Sequence, residues 1–199
     1  YFEHFEKIFY GIRYSIDQKE DYFDETGNSL RKTFLRAPLN YRRISSRYSG
    51  RRYHPVQKRY KAHLGTDYAA AVGTPIHSVG EGIVVEAKYG RYNGNYVKIK
   101  HNSTYSTQYL HMQKIKRGIR PGVKVQQGQT IGFVGSTGLA TGPHLCFRFW
   151  KNNKQVDALK VDLPPSDPIN PKELHDFLHE KNRVMKKLEQ LSFKTPSAK

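Results

Sequence analysis

A mainly β fold, an antiparallel sandwich or open barrel, is predicted by three observations. Short β-branched runs recur between Arg42 and about Pro171, glycine-rich turns separate them, and no helical period competes within that stretch. Residues 81–87 (EGIVVEA) and 95–101 (NYVKIKH) form the clearest pair, joined by the turn Gly90-Arg91-Tyr92-Asn93-Gly94. Residues 104–112 (TYSTQYLHM) predict a third strand, and 123–125, 130–134 and 145–150 follow at short intervals. The small residues of Tyr68-Ala69-Ala70-Ala71 suit a segment lying flat within a sheet.

The flanks read differently. Residues 1 to about 36 are rich in aromatics and acids, with alternation over 10–16 (YGIRYSI) and a polar turn at 24–28 (DETGN), as expected of a hairpin from a preceding domain or an arm. After Pro171 the period changes: Leu174, Phe177, Leu178, Val184, Met185, Leu188 and Leu191 recur mostly every three or four residues. Asn170 supplies an N-cap and Pro171 a first-turn proline, so an amphipathic helix is predicted over 172–191. The expected division is 1–40 as arm or domain remnant, 41–171 as the main domain, and 172–199 as C-terminal helix and tail.

At 199 residues, with 37% hydrophobic and 13% aromatic residues, the chain can bury one sizeable core. Thirty-four Lys and Arg against 17 Asp and Glu give a net charge of +17. That charge either serves solubility alone or draws the protein to nucleic acid, acidic lipid or an anionic polymer such as a cell wall, a diffuse polyanion fitting the scattered charge best. The basic residues are scattered, without a nucleic-acid motif of defined spacing, so no nucleic-acid partner is expected. No apolar run approaches the roughly 18 residues of a membrane helix, so no direct insertion is expected. The start at Tyr1 is read as that of a mature product or excised fragment. One cysteine excludes an intrachain disulfide, and a free thiol persists in an oxidising compartment when buried or metal-bound.

That cysteine lies in His144-Leu145-Cys146. Two residues along a strand return to the same face, about 7 Å on, so His144 and Cys146 look at one space while Leu145, Phe147 and Phe149 look into packing. Gly65 inside His63-x-x-x-Asp67 argues for a tight turn that lets both side chains converge. Alternation places Tyr105, Thr107, Tyr109 and His111 on one strand face. Together, His63, Asp67, His111, His144 and Cys146 supply imidazole, carboxylate and thiolate, a set that suits zinc.

These elements match a family in order and spacing. Arg52-Tyr53-His54-Pro55, His63-Leu64-Gly65-Thr66-Asp67-Tyr68-Ala69-Ala70, Gly73-Thr74-Pro75-Ile76, Asn93-Gly94-Asn95-Tyr96-Val97, Tyr109-Leu110-His111-Met112, Val125-x-x-Gly128-Gln129-x-Ile131-Gly132 and Gly135-x-Thr137-Gly138 through Gly142-Pro143-His144-Leu145 carry the likeness. The stretch over 45–171 resembles the lysostaphin/LytM-type zinc peptidases, the M23 metallopeptidases that cut peptide bonds of bacterial peptidoglycan, and in particular their cell-shape-determining, multidomain branch. The resemblance implies that His63 and Asp67 are zinc ligands. It also implies that His111 and His144 form an unligated pair, which deprotonates metal-bound water or steadies the oxyanion as that water attacks the scissile carbonyl. The family's third ligand, the second His of His-x-His, falls here on Cys146. A thiolate in that place brings the first shell near zero net charge, so the metal polarises carbonyl and water less. The resemblance further implies a peptidoglycan peptide as partner and a periplasmic, cell-envelope or secreted location; strand-edge backbone groups near Asn95, with Tyr109, are the expected substrate contacts. The alternative is a weak or inactive domain of the same fold that binds wall peptide or activates another hydrolase.

Overall fold

The computed structural model describes residues 2–4, 7–16, 19–30, 32–54, 58–163 and 166–192, with backbone alone at 2–4, 7–9, 19, 54, 191 and 192. Pro55, the side chains of His54 and Leu191, and the expected tail beyond 192, all named above, lie outside that description. The chain divides into two compact units, Tyr1–Thr33 with Leu163–Lys199, and Phe34–Asp162.

In the first unit, β1 (Phe2–His4) pairs with β2 (Lys7–Phe9), and β3 (Ile12–Ile16) with β4 (Lys19–Phe23), both antiparallel. The hairpin continues into the expected polar turn, where Asp24 Oδ1 accepts the Thr26 and Asn28 N–H groups at 2.8 and 2.9 Å. Helix α1 (Leu174–Ser192) begins after Asn170, whose side-chain oxygen accepts the Lys172 N–H at 3.0 Å. Its Leu174, Phe177 and Leu178, spaced as neighbours on one helical face, pack on Ile12, Phe23 and Ile169. Phe177 is fully buried, its ring meeting Tyr14 and Phe23 edge-on at 5.5 and 5.8 Å.

The second unit contains β5 (Arg43–Ser46), a separate hairpin of β6 (Ser49–His54) and β7 (Arg59–His63), then β8 (Thr66–Ala69) and β9 (Pro75–His77). The long strands β10 (Gly82–Gly90), β11 (Gly94–Lys100) and β12 (Tyr105–Ile115) follow, with β13 (Lys124–Val125), β14 (Thr130–Val134), β15 (His144–Lys151) and β16 (Lys154–Val156). The main sheet runs β13-β10-β11-β12-β15-β8-β5, antiparallel throughout; β14 pairs with β12 and β9, and β16 folds back on β15. Its ends are β13 and β5, so it does not close into a barrel. Every strand predicted in the central stretch is present, and the 90–94 turn joins β10 to β11 as expected. No helix among the described residues is long and apolar enough to cross a membrane.

Cross-strand register decides which side chains share a face. Leu145 lies opposite Tyr68, Phe147 opposite Tyr109 and Thr66, and Phe149 opposite Thr107, and all of these are buried. Phe34 covers this face, meeting Tyr105 and Phe149 edge-on at 5.4 and 5.3 Å. The opposite face carries His144, Cys146 and Arg148 of β15, with Asp67 and Leu110 opposite Cys146. The pleat thus separates core from site along a single strand.

Candidate metal and catalytic centre

β7 ends at His63 and β8 begins at Thr66, so the Leu64-Gly65 turn sets the distance between His63 and Asp67. A Cβ on Gly65 would stand 2.9 Å from the Phe147 carbonyl oxygen and 3.2 Å from Cys146 Sγ, so only glycine lets the turn lie this close to β15. Gln155 of β16 fixes the turn by donating its amide to the Leu64 carbonyl at 3.2 Å. Asp67 is then paired directly with Cys146 across the ladder. One ligand atom each from His63, Asp67 and Cys146 lies within 4.8 Å of the others.

His63 Nδ1 donates to the Arg47 carbonyl at 3.1 Å, which turns Nε2 toward the cleft. That Nε2 faces Asp67 Oδ1 at 2.9 Å and Cys146 Sγ at 3.8 Å. An imidazole nitrogen and a carboxylate oxygen thus face one another at hydrogen-bond distance, an arrangement that requires a proton or a cation between them. The donor set of nitrogen, oxygen and sulfur fits zinc, and the carbonyl behind His63 is the kind of outer contact that orients a metal-binding imidazole.

His144 enters from the same face of β15. Its Nδ1 donates to the Gly142 carbonyl at 2.8 Å, and its Nε2 stands 4.0 Å from Asp67 Oδ1. His111 arrives by a different route from the one alternation predicts. Between the pairs Val97–Tyr109 and Asn95–Met112, β12 carries one residue more than β11, a bulge at which His111 takes a φ of 63°. Leu110 keeps the alternation, packing with Cys146 and Tyr96, and His111 joins that side instead of returning to the face of Tyr105, Thr107 and Tyr109. The left-handed backbone, which costs a non-glycine residue about 1 kcal/mol, is held by the His111 N–H bond to the Asn93 carbonyl at 2.9 Å. His111 Nδ1 donates to the Thr137 carbonyl at 2.8 Å, and its ring lies 4.8 Å from that of His144.

Burial pushes Asp67 upward, but the hydrogen bond and charge of His63, with His144 and Cys146, outweigh it and hold the carboxyl below its usual range. Burial takes His111 down to about 4, so its ring is neutral at neutral pH. Burial, with the neighbouring Asp67 charge, pushes the Cys146 thiol up to about 12, so zinc binding must displace its proton.

All five residues singled out from the sequence line one cleft of about 180 Å³. The two expected substrate contacts do not. Tyr109 is fully buried on the core face, its hydroxyl accepting the Val79 N–H at 3.0 Å. Asn95 spends its amide on the Met112 and Gln113 carbonyls, at 3.2 and 3.0 Å, and so braces the bulge; Tyr92 and Asn93 line the cleft instead. Arg52, named in the sequence only as part of a motif, approaches Asp67 Oδ2 at 3.5 Å and donates to Ser46 Oγ. Thr137, which brackets the bulge with its carbonyl and hydroxyl, has no sequence signal beyond its glycine neighbours.

Residues 61–158 match the profile of Peptidase family M23. The chain is 45% identical over 176 residues to the peptidoglycan DD-endopeptidase ShyC of Vibrio cholerae, an alignment covering 88% of this chain and 40% of that protein. It thus spans about two-fifths of the curated relative. A zinc containing peptidase from Vibrio cholerae superposes with a TM-score of 0.63 at 40% identity, over 77% of this chain and 50% of that one. A catalytic-domain mutant of the prophage-encoded M23 protein EnpA from Enterococcus faecalis gives 0.51 at 33% identity, over 61% of this chain and 94% of that one. With the family's profile spanning the cleft and these likenesses surrounding it, the chain belongs to peptidase family M23.

Proposed function

We propose that the chain is a zinc-dependent endopeptidase that hydrolyses peptide cross-links of bacterial peptidoglycan, acting in the periplasm or cell envelope with residues 41–171 as its catalytic region. His63, Asp67 and Cys146 hold the metal, and His111 and His144 are the catalytic residues. The observation that carries this reading is the shared orientation of three imidazoles. Each gives Nδ1–H to a backbone carbonyl and turns its Nε2 to the cleft. A zinc ion held there supplies Lewis acidity to carbonyl and water. His111 and His144, unligated and adjacent, accept a proton from water in the cleft and return it to the departing amine. Arg52 holds the Asp67 carboxylate in place.

One observation favours a second reading, a wall-peptide-binding domain with little activity: Cys146 stands where the resemblance expects histidine. Metal analysis, thermal melts with and without zinc, and cleavage of cross-linked muropeptides separate the two. Saturating zinc at a hundred times its Kd raises stability by about 2.7 kcal/mol, and Cys146→Ser should lose most of that gain together with activity. A gain of activity in Cys146→His would show that the thiolate attenuates a complete site. A wild type that binds no zinc and cleaves nothing would overturn the enzyme reading.

A further inference from the structure

The cleft is cationic beyond its metal site. Arg52 and Lys61 reach it from the β6–β7 hairpin and Arg148 from β15, against a single lining carboxylate, Asp67. Arg52 is engaged by Asp67 and Ser46. Among the described residues, neither Lys61 nor Arg148 has a carboxylate within ion-pair distance. Arg148 extends the row of His144 and Cys146 by one further step on the same strand face, opposite Gln108. Its stem occupies the space left by the missing side chain of Gly65, whose Cβ would meet Arg148 Cγ at 3.0 Å. A zinc ion held here would have its two charges balanced by Asp67 and a Cys146 thiolate, so the cleft would keep a net positive charge from Arg52, Lys61 and Arg148. Without the ion they still outnumber Asp67. In both states the cleft draws an anion.

We propose that Lys61 and Arg148 form an anion-reading wall that selects peptides bearing a free carboxylate beside the scissile bond. Arg148 offers a planar fork matched to a carboxylate, and Lys61 a mobile point charge on the exposed strand β7. The inference deepens the peptidase reading and rests on it for the identity of the bond.

The test uses the zinc-loaded chain and two labelled peptides differing only in carboxylate or carboxamide at the residue beside the scissile bond, with binding and cleavage measured separately. The acid should bind about tenfold tighter or more. That ratio should fall toward one in Arg148→Gln and in part in Lys61→Gln, and Lys61→Glu should lower it further. Equal binding of acid and amide to the wild type overturns the proposal, whether or not either is cleaved. Should Arg148→Gln fail to fold, a ratio unchanged in both Lys61 variants overturns it. A retained ratio with no cleavage of either peptide supports the anion wall and overturns the peptidase reading instead.

Discussion

A histidine's role in this molecule is set by what its second nitrogen faces. In the cleft, backbone carbonyls fix Nδ1–H of His63, His111 and His144, and the opposite nitrogen is left for chemistry. His101 shows the same device turned to structure. Its Nδ1 donates to the Glu81 carbonyl at 2.6 Å, while its Nε2 lies 2.8 Å from Thr107 Oγ1, which leads to the buried Tyr109 hydroxyl. Phe34 caps the ring edge-on at 4.9 Å. Burial lowers His101 to about 4, partly opposed by the Glu81 carbonyl bond. The sign of the linkage follows: between pH 6.5 and 4 the unfolded chain binds a proton that the folded chain refuses. Stability is therefore complete above 6.5 and lost as pH falls through that window. Chemical denaturation at pH 7 and pH 5 should show the wild type losing about 2 kcal/mol more than His101→Gln. An equal loss in both proteins would remove His101 as a source of acid sensitivity.

At the scale of elements, the bulge in β12 and the loop from β14 to β15 act as one support. Thr137 Oγ1 accepts the Asn95 N–H at 2.9 Å and donates to the Met112 carbonyl at 2.7 Å, and Leu139 N–H reaches the Tyr92 carbonyl at 3.0 Å. The approach is so close that a Cβ on Gly138, at a φ of 74°, would meet Gly94 N at 2.2 Å. Gly138→Ala should force the loop off the β10–β11 turn, carry the Thr137 carbonyl away from His111, and lower kcat/KM roughly 100-fold. Steady-state kinetics beside a melting curve measure this, and unchanged kinetics would show that the loop does not position His111. The sequence showed the strands that have strong alternation, and it placed Leu145, Phe147 and Phe149 in packing because the pleat leaves no other choice. It did not show the bulge, since nothing in YSTQYLHM marks an extra residue. The face assigned to His111 and the access assigned to Tyr109 failed together for that reason. The β6–β7 hairpin was also unmarked, because its exposed Arg, Lys and Tyr residues lack the apolar alternation that identifies a strand. The site residues were still recoverable, because their motif spacing survives any local irregularity of the backbone between them.

Across the whole molecule, charge acts at two ranges. The net +17 comes from basic residues scattered along the chain, and interactions among exposed charges fade beyond about 10 Å at 0.1 M salt and 3 Å at 1 M. A polyanionic wall would therefore be held by a diffuse field that salt removes, whereas a carboxylate in the cleft meets Arg148 on a strand face partly shielded from water. The two ranges predict different salt responses. Retention on purified peptidoglycan should fall steeply between 0.05 and 0.5 M NaCl, while the acid-to-amide preference in the cleft should change far less. Co-sedimentation with wall fragments gives the first quantity and peptide titration the second. Were both to fall in parallel, the cleft preference would belong to the general surface charge and not to Lys61 and Arg148. A salt-independent retention would instead assign wall binding to short-range contacts, with the net charge contributing little beyond solubility.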